Sequence, residues 1–259
     1  MIAVITGASS GIGAATARAL RRERPDAKIV LVARREDKLR ALAGELGATY
    51  VAADLLDEDA PAKVRAQLDG ELHLLVNNAG TSWRATFADG GFANVDRHMQ
   101  INFNASVRLT EALLPHLRAC APSAIVNVAS VAGRVARAGA GSYSASKFAL
   151  IGWSDALYLE ERPSGVHVGL VLPGFIKTEG FPAAELTAKR ATRWLVSTEE
   201  KAAAAILDAG LRGRAEVYVP RPWRIIPILR TLTPGLLRRA GGGAVAKATL
   251  TKTGADQRP

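Results

Sequence analysis

Tyr143 and Lys147 stand four residues apart in a stretch of helical periodicity, 143–161, so one helix face carries a phenol and an ammonium. A phenol, with a reference pKa near ~10, is a poor base at neutral pH, and a neighbouring ammonium favours its ionised form. Such a pair can pass a proton to or from an alcohol or ketone oxygen. Ser130 follows an apolar run, 124–129, where its hydroxyl can bond a substrate carbonyl or merely turn the chain. Asn102 opens a long apolar helical stretch, 102–118, a place where asparagine commonly caps.

A second group of residues reads as a nucleotide cradle. Thr6-Gly7-Ala8-Ser9-Ser10-Gly11-Ile12-Gly13 lies between an apolar run, Ile2–Thr6, and a helical stretch, 12–24. Glycines there let the backbone turn tightly and approach a ligand. The helix that follows offers free N–H groups and a positive dipole end to a pyrophosphate. The next apolar run ends Val32-Ala33-Arg34-Arg35, with no carboxylate to accept from a ribose 2′-hydroxyl. Arg34 can fork onto a 2′-phosphate, which favours NADP and leaves NAD possible. Asp54, after the third run, can accept from an adenine amino group or cap a turn. Asn77-Asn78-Ala79-Gly80, after the fourth, can brace strands or hold a ribose.

These residues need a frame. Apolar runs at Ile2–Thr6, Lys28–Ala33, Thr49–Ala52, 72–76, 124–129, 166–172 and Glu216–Val219 read as strands buried on both faces. Helical stretches at 12–24, Glu36–Leu46, 60–68, 102–118, 143–161 and 199–209 alternate with them. Ser197 and Glu200 form a capping-box pattern before the last. The alternation predicts an α/β, Rossmann-type, doubly wound parallel sheet of about seven strands with helices on both faces. Ligands in such sheets bind beyond the carboxyl ends of the strands, where strand order reverses. Every residue singled out above lies there or on the helix that follows.

The chain has 259 residues, 48% hydrophobic and 22% charged, enough for one large domain with a full core. The net charge is +10, and 212–259 hold ten basic and two acidic residues, so +8 of it sits in the tail. The nearly neutral body argues against a nucleic-acid surface. One cysteine, Cys120, excludes an internal disulfide, and four scattered histidines point to no metal site. With no signal-like segment and no apolar run of membrane-spanning length, the expected location is cytoplasmic, with membrane association left open.

Taken together, TGASSGIG, Asn77-Asn78-Ala79-Gly80, Asn102, Ser130, Tyr143-Ser144-Ala145-Ser146-Lys147 and Pro173-Gly174 resemble the short-chain dehydrogenases/reductases. The resemblance runs from residue 1 to about 220, and Ser130 precedes Tyr143 by thirteen residues, as is usual in that family. It implies that Tyr143 is the general acid/base and that Lys147 bonds the nicotinamide ribose and lowers the tyrosine pKa. Ser130 would polarise the substrate oxygen, and Asn102 would support a proton-relay water through its main chain. Gly7, Ser10, Gly11, Ile12 and Gly13 would shape the diphosphate turn. Asp54 would meet the adenine, Asn78 the adenosine-side ribose or neighbouring backbone, and Ile176 and Thr178 the carboxamide and phosphates. The implied activity is hydride transfer between a ketone and a secondary alcohol on a CH–OH group, in a homodimer or homotetramer. A non-catalytic dinucleotide sensor on the same fold is the alternative.

Two regions are left over. Residues 1–220 read as the catalytic domain and 221–259 as a basic apolar extension. In that extension Ile225, Ile228, Leu229 and Leu232 fall at helical spacing among arginines. This is the pattern of an interfacial helix on an anionic membrane, or of a helix packed over the pocket or a second subunit. Trp83, Phe87, Phe181, Leu186 and Trp194 lie in the loops expected to meet a small apolar carbonyl or alcohol substrate.

Overall fold

The computed structural model describes residues 1–177 and 193–235. The strands that form the main sheet are β1 (Ile2–Thr6), β2 (Lys28–Ala33), β3 (Thr49–Ala52), β4 (Leu74–Asn77), β5 (Ser123–Val128), β6 (Val166–Pro173) and β9 (Glu216–Val219). They pair in the order β3-β2-β1-β4-β5-β6-β9, all parallel. Two short strands, β7 (Phe175–Lys177) and β8 (Val196–Thr198), form a separate parallel ribbon in register Ile176 to Ser197. The chain starts at β1, winds outward to β3, then crosses back to β4. The order therefore reverses between β1 and β4, and a crevice must open beyond their carboxyl ends.

Helices α1 (Gly11–Glu23), α2 (Glu36–Leu46) and α7 (Glu199–Leu211) cover one face, and α3 (Ala60–Arg65), α5 (Ala105–Ala119) and α6 (Gly141–Glu161) cover the other. In β1, Ala3 and Ile5 point into the first layer with Leu20, Leu39 and Ile206, while Ile2 and Val4 point into the second with Val64, Leu113 and Leu157. A strand apolar on both faces shows no polar alternation, which is why these runs were continuous in the sequence.

Three expectations are corrected. The first concerns the helix read as starting at Asn102. It is preceded by a helix the sequence pattern hid, α4 (Phe87–Met99), and a widened π-turn, Gln100–Asn104, joins α4 to α5. Gly90-Gly91 blurs the periodicity of α4, and Gly91 has φ 50°, outside the helical range. Asn102 therefore lies inside a helical run rather than at its start. Second, the cap of α7 is Thr198, whose hydroxyl accepts from Lys201 N, one residue later than the Ser197 pattern suggested. Ser197 is instead buried in the β7–β8 ribbon. Third, the helix read as 60–68 stops at Arg65.

After β9, Trp223 packs at Gly174, its ring 5.6 Å from that of Phe175, and its Nε1 donates to Leu195 O at 3.1 Å. Helix α8 (Ile225–Leu232) follows, with no buried residue and with Ile225, Ile228, Leu229 and Leu232 all exposed. Its Arg230 lies 5.6 Å over the Phe148 ring. Among the described residues, no helix is long and apolar enough to cross a membrane.

The glycine turn is held to the end of β4 by close packing. A Cβ on Gly13 would run into the Gly7 carbonyl oxygen and stand 2.7 Å from Asn78 Nδ2. Gly13→Ala is expected to destabilise the protein by about 1–3 kcal/mol, the usual cost of overpacking. Urea denaturation checks this, with a lower midpoint at unchanged slope.

Candidate active site

The crevice begins at the turn after β1. Gly7 and Gly11 have φ +65° and +58°, backbone that side chains with a Cβ rarely adopt. Thr6 Oγ1 accepts from Asn78 N at 2.9 Å and Ala79 N at 3.0 Å, and Asn78 Nδ2 donates to Thr6 O at 2.8 Å. Asn78 thus serves the neighbouring backbone, one of the two roles expected of it. Asn77 braces the sheet instead, donating to Thr110 Oγ1 and Asn127 Oδ1, both at 2.9 Å. Ser10 is the N-cap of α1 but makes no side-chain capping bond, and no acidic residue stands in the first turn. The first-turn amides of Gly11, Ile12 and Gly13 are left facing the crevice mouth without a capping side chain. A groove of about 800 Å³ runs from Ser10 and Gly11 along α1 and α2, bordered by Lys38, Lys177 and the carboxylates Glu45, Glu199 and Glu200.

At the end of β2 the two arginines divide. Arg34, 74% exposed, stands 3.7 Å from Asp54. Asp54 Oδ1 accepts from Leu56 N at 3.0 Å, so it also caps the turn after β3. Arg35 folds back over the glycine turn: its Nη2 donates to Ser9 Oγ at 3.0 Å and Ser10 Oγ at 2.5 Å. The sequence reading chose Arg34 and passed over Arg35, because only the turn's path brings Ser9 and Ser10 beneath it. Ile176 is buried, with its side chain in the core beneath the ribbon, so only its main chain can face a ligand. Thr178, Phe181 and Leu186 lie outside the described residues.

The other end of the crevice gathers the proton-handling groups. Ser130 ends the β5 segment, buried, with Oγ donating to Pro173 O at 3.2 Å and accepting from Ala132 N at 3.1 Å. The Tyr143 phenol stands near enough to Ser130 for that hydroxyl to favour its ionised form. Lys147, one helical turn further along α6, is buried and donates to Val128 O at 2.9 Å, with Nζ 5.9 Å from the Tyr143 ring centre. Asn102 lies in the π-turn, buried. Its Oδ1 accepts from Thr81 N at 2.8 Å, and its Nδ2 donates to Thr81 O and Ser146 Oγ, both at 3.0 Å. A Cβ on Gly80 would meet Asn102 Oδ1 at 2.8 Å and Lys147 Nζ at 3.4 Å, so Gly80 lies against both. The fold thus brings Ser130, Tyr143, Lys147 and Asn102 together.

Burial raises the Tyr143 pKa, opposed by the neighbouring Ser130 hydroxyl and by the charge of Arg137. Lys147 is itself taken out of water, and burial lowers its pKa to about 8.

Comparison with known proteins decides the family. The family model described as short chain dehydrogenase matches residues 1–189. The chain belongs to the short-chain dehydrogenase/reductase family. It is 32% identical over 266 residues to the oxidoreductase SadH of Mycobacterium tuberculosis, covering 95% of each chain. It is 32% identical over 243 residues to the ketoacyl reductase HetN of Nostoc sp., covering 90% of this chain and 82% of that one. Among solved structures, a short chain dehydrogenase from Burkholderia cenocepacia in complex with NADP superposes with a TM-score of 0.79 at 27% identity, covering 93% of this chain and 97% of that one. The Pseudomonas aeruginosa RhlG/NADP active-site complex gives 0.72 at 28%, covering 84% and 93%. This short-chain dehydrogenase/reductase is therefore an oxidoreductase by family, on the Rossmann-type frame its sequence predicts.

Beside the family's motif positions, the site of this short-chain dehydrogenase/reductase includes residues that sequence reading missed. His98 is buried between Trp83 and Tyr143, at ring distances of 5.0 and 6.2 Å. Nε2 accepts from Trp83 N at 3.0 Å, which leaves the proton on Nδ1 to be donated to Asn94 O at 2.6 Å. Burial lowers its pKa, so it holds the 81–86 loop as a neutral imidazole. Arg97 stacks 4.3 Å over Trp83. Phe87, expected to meet substrate, is 77% exposed at the start of α4, and Trp194 is 49% exposed. Nothing in residue spacing marks His98, because α4 itself was hidden.

Lys147 yields a pH-dependent prediction. The fold holds its pKa at about 8, below the unfolded lysine value, so its burial penalises the folded state fully below pH 8. The penalty, on the order of 3 kcal/mol, is relieved as pH rises from about 8 through the unfolded pKa. Lys147→Met also gives up the bond to Val128 O, worth about 1 kcal/mol. The variant is expected to be more stable than the parent at pH 7 by roughly 1–2 kcal/mol, with that advantage gone near pH 10. Denaturant titrations at the two pH values check it.

Proposed function

We propose that this chain is an NADP(H)-dependent oxidoreductase interconverting a ketone and a secondary alcohol, with Tyr143 as general acid/base. The observation that carries this reading is the convergence of the Tyr143 phenol, the Ser130 hydroxyl and the buried Lys147 ammonium beyond the carboxyl end of β5. That cluster lies next to Asn78-Ala79-Gly80, which packs on the glycine turn.

The residues present fit a nicotinamide dinucleotide. The uncapped first turn of α1 suits a diphosphate. Arg35 and Arg34 at the end of β2 suit a 2′-phosphate, and the NADP-bound Burkholderia and Pseudomonas structures support the same choice. A bound nicotinamide supplies the hydride. Tyr143 gives its proton to the carbonyl oxygen as negative charge develops there. In the reverse direction it takes the proton from the alcohol. Ser130 donates its one hydroxyl proton to Pro173 O, and turning it to the substrate oxygen stabilises that charge. Lys147, held at Val128 O, would hold the nicotinamide ribose with its remaining N–H groups. Asn102 ties the 81–86 loop to α6 through Thr81 and Ser146, which keeps the phenol in place.

Tyr143→Phe is expected to lower turnover of any ketone reduced by the parent by roughly 10²–10⁴-fold while leaving NADPH affinity within about twofold. An NADPH absorbance assay over a ketone panel, paired with cofactor titration, checks both. Cofactor binding with no turnover by the parent would instead support the sensor reading. Arg35→Gln is expected to raise the KM for NADPH roughly 10–100-fold, with the KM for NADH nearly unchanged, the loss of a charge-assisted bond to the 2′-phosphate. Parallel kinetics with the two cofactors measure this.

A further inference from the structure

The loops above Tyr143 carry two arginines to which the proposed proton transfer assigns no contact with substrate. Arg137 lies on the loop between Ser130 and α6, and Arg84 on the loop between β4 and α4. A main-chain bond, Ala85 N to Gly139 O at 3.2 Å, ties the two loops together. Arg137 lies 5.4 Å over the Phe175 ring, and its Nε is buried with no hydrogen-bond partner. It feels the charges of both Arg84 and Tyr143, while burial lowers its pKa. Among the described residues neither arginine has a carboxylate partner. Of the described carboxylates, Asp155 and Glu216 are engaged with Arg134, and Asp89 with Thr86.

Two like charges brought together, one of them partly out of water and with an unmet donor, raise the energy of the empty site. An anion placed between them removes both costs. The wall beside Arg137 is aromatic, the ring of Phe175. We propose that Arg137 and Arg84 form an anion subsite next to Tyr143, and that the substrate is an apolar carbonyl or alcohol compound bearing a carboxylate. This rests on the oxidoreductase reading for its place in turnover, but not for the binding itself. It also modifies the sequence-based expectation of a purely apolar substrate. The guanidinium fork of Arg137 would take the carboxylate, with Arg84 adding charge from the opposite loop.

The test compares hexanoate with hexanamide, an uncharged analogue of similar shape, by calorimetric titration of the full chain with and without saturating NADP⁺. Hexanoate is expected to bind at least about tenfold more tightly than hexanamide, the scale of a charge-assisted hydrogen bond. The preference should shrink to within about twofold in Arg137→Gln, be partly kept in Arg137→Lys, and fall in Arg84→Gln. Thermal melts establish that the variants are folded. Equal binding of the two probes by the parent overturns the proposal, as does a preference that survives both glutamine variants. Inorganic phosphate displacing hexanoate as well as hexanoate itself does would overturn the amphipathic acid and leave a site for simple anions. Absence of NADP⁺ binding would count against the cofactor reading alone, because the cofactor-free titration still reads the subsite. A role for Arg137 only in tuning Tyr143 would appear as a shifted pH–rate profile with no difference between the probes, which also overturns the subsite.

Discussion

Taking an ammonium out of water is expensive, and among the described residues this fold does it at one place, Lys147. The side chain lies almost wholly inside the protein and is held by one carbonyl, Val128 O, at the end of a central strand. Burial drives its pKa down to about 8, so near neutrality it keeps its charge only narrowly. The phenol one turn away is pushed the opposite way by the same dry surroundings. Both groups are displaced toward their neutral forms, and nearby hydrogen bonds and charges set the balance.

The supporting structure follows from the need to keep that pair in place. Asn102, in a widened helical turn, reaches one way to the 81–86 loop and the other to Ser146, whose hydroxyl donates to Tyr143 O. A π-turn shifts the side chains after it round the helix axis, and this one turns an amide inward that a regular helix would carry elsewhere. His98, on the helix before it, fixes the same loop with both ring nitrogens engaged. The glycine turn is braced in turn by Thr6 and Asn78. The two ends of the crevice are thus tied through the 77–80 segment, with its first amides on the turn and Gly80 against Lys147.

Much of this could be read from the chain. Strands buried on both faces leave long Val, Ile and Leu runs, and seven of these became the main sheet with bounds shifted by at most two residues. The glycine turn, Ser130, Tyr143 and Lys147 were visible because their chemistry depends on local order: a strand, a turn and one helical spacing. Helix α4 was not visible, since Gly90-Gly91 breaks the apolar period that would reveal it. With α4 hidden, Asn102 read as a cap and His98 as a stray histidine. Thr198 displaced Ser197 as the cap because the β7–β8 pairing buries Ser197, a contact the local pattern does not contain.

The amino-acid order alone determined the architecture and the place of the crevice, because strand runs and the glycine turn follow from neighbours within a few positions along the chain; the residues proposed to handle the proton were named by motifs that resemble the family's. Only the folded structure decided that Arg137 stands near the phenol, that Arg35 covers the glycine turn, and that Arg84 and Arg137 lack a carboxylate partner among the described residues. Those outcomes depend on burial and on contacts between loops far apart in sequence. Desolvation and Coulomb interactions are set by what surrounds a group in space, and periodicity carries no record of that.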